Sequence, residues 1–441
     1  MFRFIGIVDN MVRQTHVFIV DSNTYVVHTE RGFCGVLNPK GGGRLGLLTD
    51  IKAFRKGDRV IFYQRRINEP PLKRGFRDVF KIVSDPFYDD TTVEAGGKKV
   101  LGKCPICGYT HSGTWKKVNG VTKQFCSNPD PNVEKHEIPI TEYILPYRVL
   151  IEPVKRFDRP IDDNTAYIDV EDEGELPTLR WRKVTGEGTA RSSQRILPEE
   201  AEKLIRLMAK VNNERENTQL QTNTYISVAD TLSKLVPKTL EITRDTSENK
   251  LFSYNKEGKF YSEAGLEAWM MENIDKSPPV LSEVIGNLGE LEFFGNNVMY
   301  GVGRENADIL LLHKKDGKRF KATVFELKKD NVNEDTVDQV LNPENQNYAK
   351  WIGQLVTANC NPPINSLTIQ PVMVGFKISQ DTIDRLRYIQ AEYNTFSKIT
   401  EINYSHRNRP NVKITVLQPI LLSYNVQDNN VKFTRISYQI L

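Results

Sequence analysis

Long apolar runs are missing from this chain of 441 residues. No segment approaches the roughly 18 consecutive apolar residues that a membrane-spanning helix requires. The opening residues, MFRFIGIVDNMVRQ, lack the apolar h-region and cleavage site of a secretory leader. A cytoplasmic protein with no membrane partner is expected. Cysteine is scarce as well: Cys34, Cys104, Cys107, Cys126 and Cys360 form an odd, sparse set that fits a reducing compartment better than a disulfide framework. Neither sign of charge dominates, since 60 Lys and Arg face 56 Asp and Glu, so a polyanionic partner must be argued from local charge rather than from the net +4. No internal repeat of solenoid length is visible. What is present, 39% hydrophobic and 26% charged residues, is ordinary for a globular protein and argues against disorder or a fibre. At roughly 150 residues per domain, the length implies two or three units.

The first unit, residues 1–211, reads as β-rich. Thr15 to Val20, Thr24 to His28, Arg59 to Tyr63 and Asp78 to Val83 carry the β-branched and aromatic enrichment of strands, and Tyr143 to Val154 returns to that pattern. Gly41-Gly42-Gly43 lacks the strand-to-helix context of a phosphate cradle and reads as a loop. Leu197 to Val211 has helical spacing in Ala201, Leu204, Ile205 and Met208, with Pro198 and two glutamates in the first turn. The polar stretch 212–250, with few large apolar residues outside Val228 to Val236, is the expected linker. Residues 251–441 alternate helix and strand signals, which predicts an α/β unit: a helix over Ser262 to Ile274, strands at Ala307 to Leu312 and Phe320 to Leu327, a helical stretch from Val332, a strand at Leu367 to Phe376, a helix from Asp381, and closing strands at Val412 to Leu422 and Val431 to Leu441.

The segment NADILLLHKKDGKRFKATVFELKKD, Asn306 to Asp330, predicts a β-hairpin turning at Asp316-Gly317. Asp308 then begins one strand while Glu326 and Lys328 end its neighbour, so the two ends can meet. The period of two sends Glu326 and Lys328 to one face and Phe325 and Leu327 to the other. Two carboxylates and an ammonium are what phosphodiester hydrolysis needs: oxygens to hold a hard divalent cation, and a cation to orient water and offset negative charge. Taken alone, these residues could also be solvated charges at strand ends.

With its flanks, this stretch resembles the PD-(D/E)xK nucleases, and within them the RecB-like and NucS-like branch. That pattern runs from a helix bearing Glu, through a Gly-rich approach, to (I/A)D in one strand and ExK in the next. Here the helix is SEAGLEAWMMENID, residues 262–275, the approach is NLGELEFFGNNVMYGVGRENAD, and the likeness covers about 90 residues. The resemblance implies a restriction-endonuclease-like mixed sheet flanked by helices, with Asp308 and Glu326 holding Mg2+ (or Mn2+) and Lys328 assisting. Glu263 takes the place of the helical acid, and Glu267, one turn along, competes for it. The branch usually follows ExK with a helix carrying Gln and, four residues on, Tyr. This chain departs from that pattern, because Pro343 interrupts the helix between Gln339 and the pair Gln346 and Tyr348. Those three residues either contact a substrate backbone from a remodelled element or belong to a helix that packs Trp351 and Ile352 into the core.

A second metal pattern occupies residues 100–140, an apparent insertion. Cys104 and Cys107 form a CxxC knuckle, and Cys126 and His136 complete a tetrahedral set for structural Zn2+, with His111 the rival fourth ligand. Lys116, Lys117 and Lys123 lie in the same segment and favour a zinc ribbon over a redox pair. KGDRVIFYQRR, from Lys56, and RSSQRILPEEAEKLI, from Arg191, resemble the PUA-like fold, especially its EVE and YTH relatives, which bind modified bases in DNA or RNA. Phe62, Tyr63, Trp181 and Arg182 could stack on a base, although Phe62 and Tyr63 also suit ordinary strand positions. Together the resemblances imply a DNA endonuclease of restriction or modification-dependent defence, in which a dimer would allow both strands to be cut. The alternatives are a repair nuclease acting on mismatched, branched or single-stranded DNA, and a non-catalytic nucleic-acid-binding protein.

Overall fold

The computed structural model describes residues 14–440 except 37–45, 66–74, 90–92, 96–97, 102–103, 105, 110–113, 127, 129, 139–141, 163–164, 167–191, 214–242, 245–252, 277–280, 287, 301–304, 342–347, 397 and 405–408. Gly41 to Gly43, Trp181, Arg182, Val228 to Val236, His111, Pro343 and Gln346 lie outside the described residues.

The chain is a mixed α/β structure. Its N-terminal part supplies β1 (Thr15–Val20), α1 (Ser22–Arg31), β2 (Phe33–Val36), α2 (Gly46–Lys52), β3 (Arg59–Gln64), β4 (Gly75–Ile82) and β5 (Phe87–Tyr88). Next come β6 (Val93–Ala95) and β7 (Lys98–Leu101), which pair with β11 (Glu142–Ile144), and between them lie β8 (Thr114–Val118), β9 (Val121–Phe125) and β10 (Glu137–Ile138) of the insertion. After it come β12 (Tyr147–Lys155), β13 (Ser193–Ile196) and α3 (Pro198–Val211). The first sheet runs in the order β13-β1-β3-β4-β12-β2, with β5 beside β12.

The predicted strand over Thr24 to His28 is instead the middle of α1. Asp21 overrides the local β propensity: its carboxylate accepts from Thr24 N–H in a capping box, and Gly32 closes the helix in the left-handed region at φ 67. Phe62 and Tyr63 lie on opposite faces of β3 and are both fully buried, in two different cores. They are structural strand residues and offer no ring to a base.

After β14 (Thr243–Arg244) and β15 (Ser253–Tyr254), the C-terminal part folds as α4 (Glu263–Asn273), α5 (Ser282–Ile285), β16 (Glu290–Tyr300), β17 (Glu305–Lys315), β18 (Lys318–Leu327), β19 (Asn331–Val332), α6 (Glu334–Leu341), α7 (Tyr348–Thr357), β20 (Ser366–Gly375), β21 (Lys377–Ile378), α8 (Gln380–Tyr393), β22 (Ile399–Ile402), β23 (Val412–Val416), β24 (Ile420–Gln427) and β25 (Asn430–Ile436). Its sheet runs β16-β17-β18-β20-β23-β22, and β24 pairs with both β20 and β25. The hairpin turns at Asp316-Gly317, both at positive φ, as a two-residue loop of this kind demands. The predicted strand Val412 to Leu422 is two strands, β23 and β24, interrupted at Leu417-Gln418-Pro419 where a proline N–H is missing. The helical stretch starts at Glu334 rather than Val332, because Val332 pairs in β19 and Asn333 accepts from Thr336 N–H ahead of the helix.

Alternation along the strands sorts the side chains into layers. Val17, Ile61 and Tyr63 face α3, whereas Phe18, Phe62 and Phe80 face the other way, into a core that also holds Leu266 and Met270 of α4 and Ile309, Leu311 and Phe325 of the second sheet. Leu310, Leu312 and Val324 point to the far side, under α6 and α7. Helices α2 and α4 therefore lie between the two sheets, and the N- and C-terminal parts share one hydrophobic core. Buried ion pairs cross the same boundary. Arg319 on β18 bonds Glu292 at 2.9 and 3.0 Å and Glu199 of α3 at 2.9 and 3.2 Å. Arg195 stacks its guanidinium 3.6 Å from the Phe294 ring centroid. Among the described residues no helix is long and apolar enough to cross a membrane.

Candidate functional site

The hairpin brings Asp308 across from Glu326, as the register Ile309 to Phe325 requires. Side-chain alternation breaks at this point: Phe294 and Ile309 enter the shared core, whereas Val298 and Ala307 enter the far one. Between them, Asn297 adopts φ 50, the left-handed region that asparagine tolerates best among residues with a Cβ. The half-buried Asp308 carboxylate accepts the Leu327 backbone N–H at 2.7 Å. Glu326 is buried, and its Oε1 accepts from Lys328 Nζ at 2.5 Å. Lys328 Nζ also reaches Gln339 Oε1 on α6 at 3.4 Å, so Gln339 joins the site. Ile352 of α7 is buried in the far core and Trp351 packs against it.

Helix α4 delivers the remaining acids. Ser262 caps it, accepting from Gly265 N–H at 3.1 Å, and Glu263 is its first residue. The Glu263 carboxyl feels the Lys329 backbone and the Lys328 charge, and both Glu263 and Glu267 act electrostatically on Asp308. The structure thus gathers Asp308, Glu326, Lys328, Glu263, Glu267 and Gln339 in one place.

The electrostatics are those of crowded anions. Burial, followed by the charge of Glu326, pushes the Asp308 carboxyl well above the usual range. Burial raises Glu326 too, and the neighbouring Lys328 only partly opposes it. Glu263 is raised by burial, with Lys328 pulling it down and Glu267 pushing it up. For Lys328, burial works against the charged form, but Glu326, Glu263 and Asp308 together outweigh it and raise its pKa. One atom is left over: the buried Glu326 Oε2 has no hydrogen-bond partner. An anionic oxygen held from water without a donor is costly, and a bound cation would relieve it. The donors are hard oxygens that fit Mg2+ or Mn2+, which need one or two carboxylates and otherwise keep water.

The insertion holds a tighter cluster. Cys104 Sγ, Cys107 Sγ, Cys126 Sγ and a His136 ring nitrogen all lie within 4.8 Å of one another, the only group among the described residues drawn together in this way. Cys104 Sγ is 3.0 Å from His136 Nε2, and Cys107 Sγ is 3.5 Å from Cys126 Sγ. Metal–sulfur bonds of about 2.3 Å and a metal–nitrogen bond of about 2.0 Å at tetrahedral angles imply S···N and S···S separations of roughly 3.5 and 3.8 Å, so the ligands here stand a few tenths of an ångström closer together than they would around an ion. His136 Nδ1 lies 2.9 Å from Glu134 O, which fixes the tautomer and leaves Nε2 free to ligate. Backbone N–H groups of Tyr109 and Asn128 point at Cys107 and Cys126, as suits thiolates. Gly108, at φ 72, turns the knuckle so that its N–H reaches Cys104 O at 2.9 Å. Among the described residues, the buried core here apart from the cysteines is Ile138 with the partly buried Tyr109. A metal such as zinc fits all of this. Lys116 and Lys117 are exposed on the β8–β9 hairpin, while Lys123 pairs with Glu137 at 2.7 Å.

A cavity of about 590 Å³ opens between α3 and the second sheet, lined by Glu200, Lys203, Arg206, Lys314 and Arg409 among others. It lies at the opposite end of β17 from Asp308 and takes no part in the carboxylate site. Sequence reasoning missed Asn296 and Asn297 because Gly295-Asn296-Asn297 reads as turn punctuation inside what is in fact the 11-residue strand β16. The flanking Leu291 and Phe293 alternation was the available signal. A scan against protein-family models finds no match for this chain, and a search of curated proteins finds none either.

Proposed function

We propose that this protein is a divalent-metal-dependent DNA endonuclease of the PD-(D/E)xK type, in which the N-terminal part selects the site and the C-terminal part cuts. The observation that carries the reading is the buried, unpartnered Glu326 Oε2 beside Asp308, with a lysine two residues along the same strand face. Asp308 and Glu326 would hold Mg2+ or Mn2+, and the bound ion supplies Lewis-acid neutralisation of a phosphodiester and of the attacking water. Lys328, held by Glu326 and Gln339 with a raised pKa, stays an ammonium, so it orients water and offsets charge on the phosphate rather than accepting a proton. The raised carboxyl of Glu263 makes it a better proton acceptor than an ordinary glutamate at the same position. The zinc ribbon presents Lys116 and Lys117 to a phosphate backbone. A role in restriction or modification-dependent defence follows from joining such a nuclease to a PUA-like reader.

The test is incubation of the purified protein with modified and unmodified duplex DNA plus Mg2+ or Mn2+, beside an Asp308→Ala control. Cleavage by the native protein alone supports the reading, and dependence on modification identifies what the N-terminal part reads. Tight binding without cleavage of any substrate overturns the nuclease reading in favour of a binding module.

A further inference from the structure

Helix α2 belongs to the N-terminal part, yet its polar side chains are directed at α4, which carries Glu263 and Glu267. Thr49 Oγ1 lies 3.4 Å from Ala264 O, Lys52 Nζ is 2.6 Å from Glu272, and Arg55, three residues past the end of α2, forks onto Asp275, two past the end of α4, at 2.9–3.1 Å while also reaching Met271 O. The fourth contact is indirect. Asn296 Nδ2 donates to Glu267 Oε1 at 2.8 Å and to Asp50 Oδ1 at 3.4 Å. Asp50 is itself fixed, because its Oδ2 accepts the backbone N–H groups of Ser192 and Ser193 at 3.1 and 3.2 Å. Asn296, Asp50 and Glu267 are all buried.

From this arrangement we infer that Asn296 is a positioning residue through which Asp50 of the N-terminal part orients Glu267 toward Asp308, so that the carboxylate site is complete only while α2 is seated on α4. The physical reason is electrostatic. Two buried carboxylates, Asp50 and Glu267, approach one another from different parts of the chain, and the Asn296 NH2 group donates one hydrogen to each. Losing that shared donor leaves the two anions facing one another and weakens the hold on Glu267 beside Asp308. Asn296 sits on β16 opposite Ile309, one residue from Asp308, and next to the left-handed Asn297, so any shift of α2 is transmitted to the strand that borders the site. Occupancy of the N-terminal part by its ligand can thus alter cation affinity without touching the cation. The inference rests on the nuclease reading for the identity of what binds there.

The experiment is calorimetric titration of the full-length, zinc-loaded protein with Mn2+, comparing the native chain with Asp308→Ala, Asn296→Leu, Asp50→Asn and Glu267→Gln. Arg55→Asp and the charge-exchanged pair Arg55→Asp/Asp275→Arg serve as a second route that leaves Asn296 intact. Folding is accepted on a single cooperative melting transition, whatever its midpoint, and the expected result is an Mn2+ site abolished by Asp308→Ala and weakened roughly 10- to 100-fold by Asn296→Leu and by Asp50→Asn, the range for residues that orient a ligand. Little further loss should follow when either is combined with Glu267→Gln, and the charge-exchanged pair should regain what Arg55→Asp loses. Native Mn2+ affinity in folded Asn296→Leu and Asp50→Asn overturns the inference while leaving the nuclease reading in place. Absence of any Asp308-dependent Mn2+ site in the native chain overturns both.

Discussion

Replacing Asp308 by Asn should make the protein more stable and, at the same time, inactive. Cross-strand neighbours carry their Cβ atoms about 5 Å apart. Two carboxylates at that separation, in the effective dielectric of about 20 that suits a half-buried position, repel by about 3 kcal/mol. Lys328 offsets part of this, leaving about 1–2 kcal/mol to be gained when one charge is removed. Asn can still accept the Leu327 N–H that Asp308 Oδ2 now accepts. At about 2–4 °C per kcal/mol, the melting temperature at pH 8 in buffer free of Mg2+ and Mn2+ should rise by about 2–8 °C. The pH dependence follows from the raised folded-state pKa values of Asp308 and Glu326. A carboxyl that holds its proton longer folded than unfolded loses stability as pH rises from its unfolded value through its folded one. The advantage of the variant should therefore be full above that window and fade as pH falls toward 4. Saturating Mg2+ should reverse the order, adding about 2.7 kcal/mol to the native protein at a hundredfold excess over Kd and nothing comparable to the variant. Calorimetry at pH 4, 6 and 8, with and without Mg2+, reads all three effects. A variant less stable than the native chain at pH 8, or a difference that does not change with pH, would refute the reasoning.

Cys126→Ser or exhaustive chelation should remove one equivalent of zinc per chain, by elemental analysis, and expose the segment from Cys104 to Ile138 to protease while the C-terminal sheet stays protected. Arg319→Ala leaves the buried Glu292 with Lys314 alone and the partly buried Glu199 without its fork, and should cost about 2–3 kcal/mol by urea denaturation. Arg319→Lys should recover only part, since a lysine cannot fork onto two carboxylates. Gln339→Ala removes one of the two groups that hold Lys328, and should lower kcat roughly tenfold with KM for DNA unchanged in steady-state cleavage.

What could be read from the sequence was local. Alternation and an Asp-Gly turn located the β17–β18 hairpin, and from it the juxtaposition of Asp308 with Glu326. The spacing of three cysteines and a histidine picked out the four groups that lie within 4.8 Å. Errors arose where a single residue outweighed its neighbours: Asp21 caps a helix through Tyr25, Val26 and Val27, residues that alone favour a strand, and Pro419 divides one apolar run into two strands. The contacts between α2 and α4 join residues more than 200 positions apart, as between Lys52 and Glu272, and leave no periodic trace in either segment.

The shared core sets the terms on which this architecture can be rebuilt. Proteins made of separable cassettes evolve new specificity by exchanging one module for another. Here an exchange of the N-terminal part would uncover the Phe294 ring, over which Arg55 and Arg195 lie, and break up the cluster that Phe54 and Phe62 share with Met270. Recombination is thereby confined to the surface loops and to the segment that carries the cysteine–histidine cluster, whose described buried residues form a cluster of their own. Lineages of this fold should diversify by drift within the N-terminal part rather than by swapping it.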